Sequence, residues 1–192
     1  MDLDQYYNDE FEEHIRVANA AYGEMREPLA RLVSLSAAAI RAGGKIVFCG
    51  NGGSAADCQH LATELTIRYL EDRSPIAAIA LTTDTSTLTA AGNDIGFESI
   101  FSRQVEALCS PHDVVIGFST SGNSTNIIKA LEQAKSIGCI AAGFGGRDGG
   151  KMVGLADPFL IVPSNDTPRI QEMHIAVGHT LCEIAENQLI QE

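Results

Sequence analysis

A histidine and a glutamate four residues apart follow a glycine-rich turn, and these residue types can do chemistry together. The turn is G-N-G-G at 50–53, and the pair is His60 and Glu64. Residues four apart share one face of a helix, so a helix here places an imidazole beside a carboxylate. The turn that opens such a helix points backbone N–H groups and the positive end of the helix dipole at an anion. The stretch 49–69 therefore predicts an anion site next to two titratable groups.

A second predicted helix offers a matching pair. Gln171 and His179 lie on one stripe, two helical turns apart. Two helices that each offer two polar groups on one face can close a site with four nitrogen and oxygen ligands, and zinc suits two imidazoles and a carboxylate. A glutamine oxygen is a less common ligand, so spacing alone leaves a metal site and a metal-free pair as open alternatives. His174 lies at another angle of this helix, and we expect it to be a core histidine.

A hydroxyl-rich loop, S-T-S-G-N-S at 119–124, runs directly into a predicted helix. The loop has four hydroxyls, a glycine and a helix N-terminus, but no lysine or arginine. Amides, hydroxyls and a helix dipole are the donors that bind a phosphate monoester in an acidic protein. A Ser/Thr-rich helix cap without a ligand is the alternative. We favour phosphate because this loop and the turn at 50–53 follow strands of the same predicted sheet.

The composition narrows the class of partner. The 192 residues are 45% hydrophobic, which is ordinary for one globular domain, and the formal net charge is −12. Nucleic acid and anionic membranes need a basic surface, so we expect neither as a partner. No stretch approaches the roughly 18 apolar residues of a membrane-spanning helix. The N-terminus is acidic and the five cysteines form no C-x-x-C pair, so we expect a reduced, cytoplasmic protein without a secretory signal.

The order of the predicted elements indicates an α/β fold. Apolar runs without polar alternation, typical of strands buried on both faces, occur at 45–49, 76–81, 113–118, 138–144 and 158–162. Helices are predicted between and after these runs, at 54–70, 86–92 with 97–109, 124–137, near 150–155 and at 167–190. We expect a doubly wound sheet of five parallel strands, flanked by helices, with ligands at the carboxyl ends of the strands.

A pair of further helices is predicted before the first strand, at 3–24 and 27–42, with Pro28 at the start of the second. They either pad the sheet or form a helical bundle with other subunits. We favour the bundle because a bare helical hairpin has two faces to bury. Residues 1–43 would then serve oligomerisation, and residues 44–192 would form the ligand-binding core of the same single domain.

These patterns resemble the sugar-isomerase (SIS) domain family and, within it, the bacterial phosphoheptose isomerases. The resemblance covers nearly the whole chain. The motifs that carry it are G-N-G-G-S-A-A-D at 50–57, H-x-x-x-E at 60–64, T-A-x-G-N-D at 89–94, F-S-R-Q-V at 101–105, S-T-S-G-N-S at 119–124, D-G-G-K-M at 148–152 and R-I-Q-E at 169–172.

The resemblance implies an aldose–ketose isomerase that converts sedoheptulose 7-phosphate to D-glycero-D-manno-heptose 7-phosphate, for bacterial lipopolysaccharide or capsule. It implies a homotetramer with active sites at subunit interfaces. It also implies one Zn²⁺ per subunit, held by His60, Glu64, Gln171 and His179. By the same resemblance, the phosphate would be held by Ser119, Thr120, Ser121 and Ser124. The sugar would be lined by Asn51, Gly52, Gly53, Ser54, Glu64, Asn93, Asp94 and Gln171.

The implied reaction moves a proton between adjacent carbons of an open-chain sugar phosphate. It needs a base over C1–C2 and an acid that exchanges protons with the two oxygens. Glu64 is the candidate base and His179 the candidate acid. A carboxylate bound to zinc is a poorer base, so either the metal polarises the carbonyl or Glu64 shifts between metal and substrate.

Two alternative functions stay open. One is a non-catalytic binding protein, like the family relative that associates with the bacterial replication initiator, and the presence of Glu64 and His179 argues against it. The other is isomerisation of another sugar phosphate, such as arabinose 5-phosphate, although relatives with that activity often carry extra regulatory domains. The chain also departs from the family pattern at two positions. Pro168 stands where some members have an aspartate, and Gly145 stands where many have a threonine.

Overall fold

Five parallel strands form the central sheet of the structure, a computed structural model that describes residues 2–190. The strands are β1 (Ile46–Gly50), β2 (Ala78–Ala80), β3 (Val114–Ser119), β4 (Ile140–Gly146) and β5 (Phe159–Val162). Their order is β2-β1-β3-β4-β5, and all four pairings are parallel. Every residue of β1 and β3 is buried, which explains their unbroken apolar sequences. The predicted five-stranded fold is confirmed, and only the strand ends differ.

Helices cover both faces of this sheet. They are α1 (Leu3–Arg41), α2 (Gly53–Thr66), α3 (Thr85–Asp94), α4 (Ser102–Leu108), α5 (Thr125–Ile137) and α6 (Thr167–Ile190), with 3₁₀ turns at Phe97–Ser99 and Gly150–Met152. One buried apolar cluster joins the sheet to α1, α2 and α6, and a second joins it to α4 and α5. Helices α2 and α5 therefore lie on opposite faces, as a doubly wound fold requires. None of the helices within residues 2–190 combines the length and apolar character that a membrane crossing needs.

The prediction of two N-terminal helices is wrong, because α1 is one helix of 39 residues with Pro28 inside it. An interior proline removes a backbone hydrogen bond and costs about 3 kcal/mol. Helix α1 nevertheless continues because apolar side chains on both sides of the proline are buried, and the helix packs on α6 and β5. These side chains are Val17, Ala21, Met25 and Leu32. Their burial offsets the lost hydrogen bond, since each fully buried side chain of the larger types contributes about 1.5–3 kcal/mol.

A buried ion pair fastens the segment that follows α2. Glu186 of α6 and Arg73 have side chains only 2% and 5% exposed, with Oε2 and Nε 2.8 Å apart. Glu186 also accepts the backbone N–H groups of residues 69–71. Arg73 donates to the carbonyl oxygens of Glu64 and Leu65. The pair therefore fixes the last turns of α2, where Glu64 lies.

Opposing effects act on the pKa of the Glu186 carboxyl. Burial raises this pKa, but the backbone N–H groups of residues 69–71 and the charge of Arg73 outweigh burial and hold it below the ordinary value of 4.5. A carboxyl whose pKa is lower in the folded state stabilises the fold at a pH above the unfolded pKa. That contribution is lost as the pH falls through the folded pKa.

We expect Glu186→Gln to lower the free energy of unfolding at pH 7 by about 3 kcal/mol, because it leaves the buried guanidinium of Arg73 unpaired. Urea unfolding measures this difference. As the pH falls through the lowered pKa of Glu186, the wild-type carboxyl becomes protonated, so the two proteins should converge in stability.

The control for this prediction is Glu183→Gln, which removes an exposed carboxylate from the same helix. It should change the free energy of unfolding by less than about 0.5 kcal/mol. Equal losses in the two variants would contradict the role assigned to the Glu186–Arg73 pair.

Candidate active site

Two loops meet at the carboxyl ends of β1 and β3. These strands are neighbours that pair in parallel, so the segments that follow them emerge at the same edge of the sheet. The first segment is the glycine turn, residues 50–53, and α2 begins within it. The second is the serine loop, residues 119–124, and α5 begins directly after it. The structure thus brings together the two anion-binding loops that the sequence predicts.

The serine loop presents hydroxyl groups beside the N-terminus of α5. Ser119 Oγ lies 2.9 Å from Ser124 Oγ, and Ser121 Oγ accepts the backbone N–H of Asn123. Ser124 occupies the N-cap position of α5, yet its side chain makes no capping hydrogen bond. Because the Ser124 hydroxyl does not cap α5, the geometry favours a phosphate site over a simple helix cap.

A turn at 148–152 supports the serine loop from outside. The Lys151 N–H donates to Asn123 Oδ1, at 3.2 Å. Gly122 has a φ of +65°, and a Cβ at this position would collide with the carbonyl oxygen of Gly149. Only glycine allows this close approach, so the contact fixes the backbone of the loop.

His60 contacts two titratable side chains, Glu64 on its own helix and His179 on α6. His60 Nε2 lies 2.8 Å from His179 Nε2 and 3.2 Å from Glu64 Oε1. The ring of Tyr69 packs on His179 with a centroid distance of 5.6 Å. The expected imidazole–carboxylate pair on α2 is therefore present, and α6 adds the second imidazole to it.

Gln171 lies over the glycine turn. A Cβ on Gly53 would be only 2.7 Å from Gln171 Nε2, so the amide packs directly on that backbone. Gln171 is in the second turn of α6, two turns before His179. Among residues 2–190, no recorded hydrogen bond joins Gln171 to the imidazoles.

Comparisons with known proteins identify the family of this chain. The SIS domain model matches residues 7–146. The chain is 58% identical to the phosphoheptose isomerase of Paramagnetospirillum magneticum, over 97% of both chains. Its fold matches the phosphoheptose isomerase of Neisseria gonorrhoeae at a TM-score of 0.91, with 43% identity over 96% of this chain and 99% of the other. The enzyme from Francisella tularensis matches at a TM-score of 0.94, with 34% identity over 97% and 100%.

The chain belongs to the phosphoheptose isomerase family of SIS domains. The two departures from the pattern of this family have local explanations. A Cβ at Gly145 would lie 2.6 Å from the ring of Phe159, so that ring occupies the space a threonine would need. Pro168 lies in the first turn of α6, where a missing backbone N–H costs no helical hydrogen bond.

Asn93 and Asp94, predicted to line the sugar of a phosphoheptose isomerase, end helix α3. Both are exposed, and Asn93 Nδ2 donates to Asp94 Oδ1 at 2.7 Å. No hydrogen bond in the described part of the chain ties them to the glycine turn or the serine loop. Their role in binding sugar stays a prediction.

Asp57 is a carboxylate that the sequence analysis leaves without a role. Its Oδ2 is buried and has no hydrogen-bond partner among the described residues. Burial raises the pKa of Asp57, and the imidazoles of His60 and His179 counteract this only in part. Spacing is the signal that reveals this residue, because Asp57, His60 and Glu64 follow at steps of three and four on one helix face.

The residues fit a zinc ion by chemical type. Two imidazole nitrogens face each other, and a carboxylate oxygen lies beside one of them, which are the donors that zinc prefers. In the part of the chain that the structure describes, however, no group of three or more His, Cys, Asp or Glu side chains is placed to hold a metal ion. Zinc therefore remains a proposal that rests on donor chemistry.

His174 is a core histidine, as predicted. Its side chain is fully buried, and its Nε2 lies 2.9 Å from the carbonyl oxygen of Gly145, so Nε2 carries the proton and donates it. The rings of Phe118 and Phe144 meet it edge-on. Burial lowers the pKa of His174 to about 4, although the hydrogen bond to Gly145 opposes this shift.

We expect Gly53→Ala to lower kcat/KM of the isomerase by about tenfold or more, because the new methyl group displaces the amide of Gln171. The protein should fold with an unchanged or raised melting temperature, since alanine in a helix is more stable than glycine by roughly 0.5–1 kcal/mol. Steady-state kinetics and thermal unfolding measure the two effects.

Gly23→Ala is the control, because a Cβ at this position of α1 would have no atom of the described residues within 4 Å. It should give a similar gain in stability without any loss of activity. A Gly53→Ala protein with wild-type kinetics would show that the position of Gln171 over the turn has no part in the reaction.

Proposed function

We propose that this protein is a phosphoheptose isomerase, which converts the ketose sedoheptulose 7-phosphate to D-glycero-D-manno-heptose 7-phosphate. The observation that carries the proposal is the contact of His60 with both Glu64 and His179, in a chain of this family. The product would supply heptose for bacterial lipopolysaccharide or capsule. We place the reaction in the cytoplasm, and the five free thiols of the chain support a reducing compartment.

Glu64 is the base in this proposal. A carboxylate over C1–C2 removes the proton from C1 of the ketose and returns it to C2. The Glu64 side chain is 21% exposed, so it is open to a ligand while being partly shielded from water. Its position along α2 is fixed from behind, because Arg73 donates to the Glu64 carbonyl oxygen.

His179 is the acid that exchanges protons with O1 and O2 of the sugar. Imidazole is the side chain most often used for such general acid–base steps. The ring of His179 is oriented from two sides, by the nitrogen of His60 and by the packed ring of Tyr69. An acid held in one orientation loses little entropy when the substrate arrives.

The serine loop is the phosphate site in this proposal. A chain with a net charge of −12 repels a phosphate at long range, so binding must come from local donors. The donors are the hydroxyls and amides of the loop and the N-terminus of α5, with Ser119, Thr120, Ser121 and Ser124 as phosphate ligands. The sugar would lie towards the glycine turn, against Asn51, Gly52, Gly53, Ser54, Asn93, Asp94 and Gln171. The phosphate is then anchored at one end and the reacting carbons reach the residues of α2 and α6.

We expect Glu64→Gln and His179→Gln to lower kcat by at least about 10²-fold while the protein stays folded, because each removes a positioned acid or base. Assays of wild type and variants on sedoheptulose 7-phosphate and arabinose 5-phosphate test both the reaction and the substrate. Circular dichroism checks the fold. A fully active Glu64→Gln protein would contradict the role of Glu64 as the base. A folded wild-type protein that isomerises neither sugar phosphate would favour the non-catalytic binding protein instead.

We also propose one Zn²⁺ per subunit, held by His60, Glu64, Gln171 and His179. When bound, the ion would polarise the carbonyl of the sugar as a Lewis acid. The convergence of two imidazoles and a carboxylate from α2 and α6 supports this ligand set. A metal held by two helices binds the folded state only, and it should therefore raise the stability of the fold.

Elemental analysis of protein purified without added metal should find about one zinc per chain, and a chelator should lower the melting temperature. His60→Gln should lose the metal. The control is His112→Gln, an exposed histidine outside the site, which should retain it. An active protein without metal would remove zinc from the proposal while leaving the acid–base pair in place.

A homotetramer with active sites at subunit interfaces completes the proposal. Supporting it, α1 exposes large apolar side chains beyond what a monomer usually leaves in water, namely Leu3, Tyr6, Tyr7, Phe11, Ile15 and Tyr22. A groove between α1 and α6 continues this surface. Light scattering at micromolar concentration should give the mass of four chains, whereas the mass of one chain would contradict the proposal.

A further inference from the structure

Asn51 and Asn126 form a reciprocal pair of amide hydrogen bonds. Asn51 Nδ2 donates to Asn126 Oδ1 at 2.9 Å, and Asn126 Nδ2 donates to Asn51 Oδ1 at 2.8 Å. Asn126 is 3% exposed, so one half of the pair is shielded from water. Each amide satisfies the other's donor and acceptor, and no other side chain of equal size offers both.

The pair connects the two loops of the site across the end of the sheet. Asn51 lies in the glycine turn, between β1 and α2. Asn126 is the second residue of α5, directly after the serine loop. Because α2 and α5 pack on opposite faces of the sheet, their N-termini lie on the two sides of the crevice at the carboxyl ends of β1 and β3. Within residues 2–190, the amide pair links the side chains of the two segments directly across this crevice.

We propose that the Asn51–Asn126 pair is a positioning device that fixes the separation of the glycine turn and the serine loop, and so selects the carbon-chain length of the sugar phosphate. The inference rests on the proposed function, in which the phosphate occupies the serine loop and the reacting carbons lie near His60 and His179. With the phosphate anchored at one loop, the fixed separation decides which carbon atoms reach Glu64.

The pair also changes the role of Asn51. Its amide nitrogen and oxygen are each engaged by Asn126, so its main task is to hold the turn in place and only its remaining N–H and lone pair can meet a sugar. A displacement of about 1 Å at the reacting carbons can reduce a rate by about 10²-fold. A small widening of the crevice therefore suffices to alter catalysis while both loops stay intact.

The test uses Asn126→Leu, which keeps the approximate size of the side chain, adds no charge beside the serine loop and removes both amide hydrogen bonds. Asn51→Ala is the second variant, made from the more exposed side of the pair, in case the substitution at the buried position prevents folding. Glu132→Gln, an exposed change on the same helix α5, is the control. Kinetics are measured with sedoheptulose 7-phosphate. Calorimetry gives Kd for inorganic phosphate and for a five-carbon ketose 5-phosphate.

Both variants should lower kcat/KM for the seven-carbon substrate by about tenfold or more. The Kd values for inorganic phosphate and for the five-carbon ketose phosphate should change by less than about twofold. These ligands depend mainly on the serine loop, which both variants leave intact. Loss of phosphate affinity in the same proportion would overturn the proposal, since the pair would then only support that loop. Unchanged kcat/KM in a folded variant would overturn it as well.

The experiment separates this inference from the proposed function. A wild-type protein that binds inorganic phosphate but does not isomerise sedoheptulose 7-phosphate would defeat the proposed function. In that case the role of the amide pair is tested by binding alone. The Kd for sedoheptulose 7-phosphate and the Kd for inorganic phosphate are each compared between the wild type and the variants. A variant that weakens only the longer ligand supports the pair as a length-setting device, and a variant that weakens both or neither overturns it.

Discussion

The parallel pairing of β1 with β3 is the constraint on which the rest of this structure depends. After β1 the chain crosses to one face of the sheet, and after β3 it crosses to the other face. The two connections therefore diverge, and a crevice forms between them at the carboxyl ends of β1 and β3. Two helix N-termini point at this crevice, each with its own unpaired backbone N–H groups. The net charge of −12 repels a phosphate at long range, so the proposed phosphate site would depend on these local donors.

The acid–base cluster depends on a second contact, the packing of α2 on α6. That contact sets His60 against His179 and leaves Glu64 at the rim of the same cluster. The buried Glu186–Arg73 pair lies behind it and fastens both helices to the segment between α2 and β2. Stability and function are linked here, because the ion pair that orders this segment also holds the turn of α2 that carries the proposed base.

Much of this structure could be predicted from the sequence because the signals for its strands and helix faces are local or periodic. Unalternated apolar runs predicted the buried parallel strands, and the spacing of His60 and Glu64 predicted their shared helix face. The N-terminal region is where local reasoning failed. Pro28 is a helix breaker by its own chemistry, but α1 passes through it because side chains on both sides find burial against α6 and β5. That burial is a tertiary energy, which no local propensity contains.

The sequence by itself therefore determined the fold class and the positions of the glycine turn and the serine loop at the strand ends, and it predicted the residue types of the proposed reaction. The tertiary structure alone decided which of these residues meet. It placed His179 on His60 across 119 positions of sequence, laid Gln171 on Gly53, and joined Asn51 to Asn126. It also left Asp57 near the imidazoles with a buried oxygen that has no hydrogen-bond partner among residues 2–190. Helical spacing fixes the direction of a side chain within its own helix, whereas the partner it meets is fixed by how separate helices pack on a common sheet.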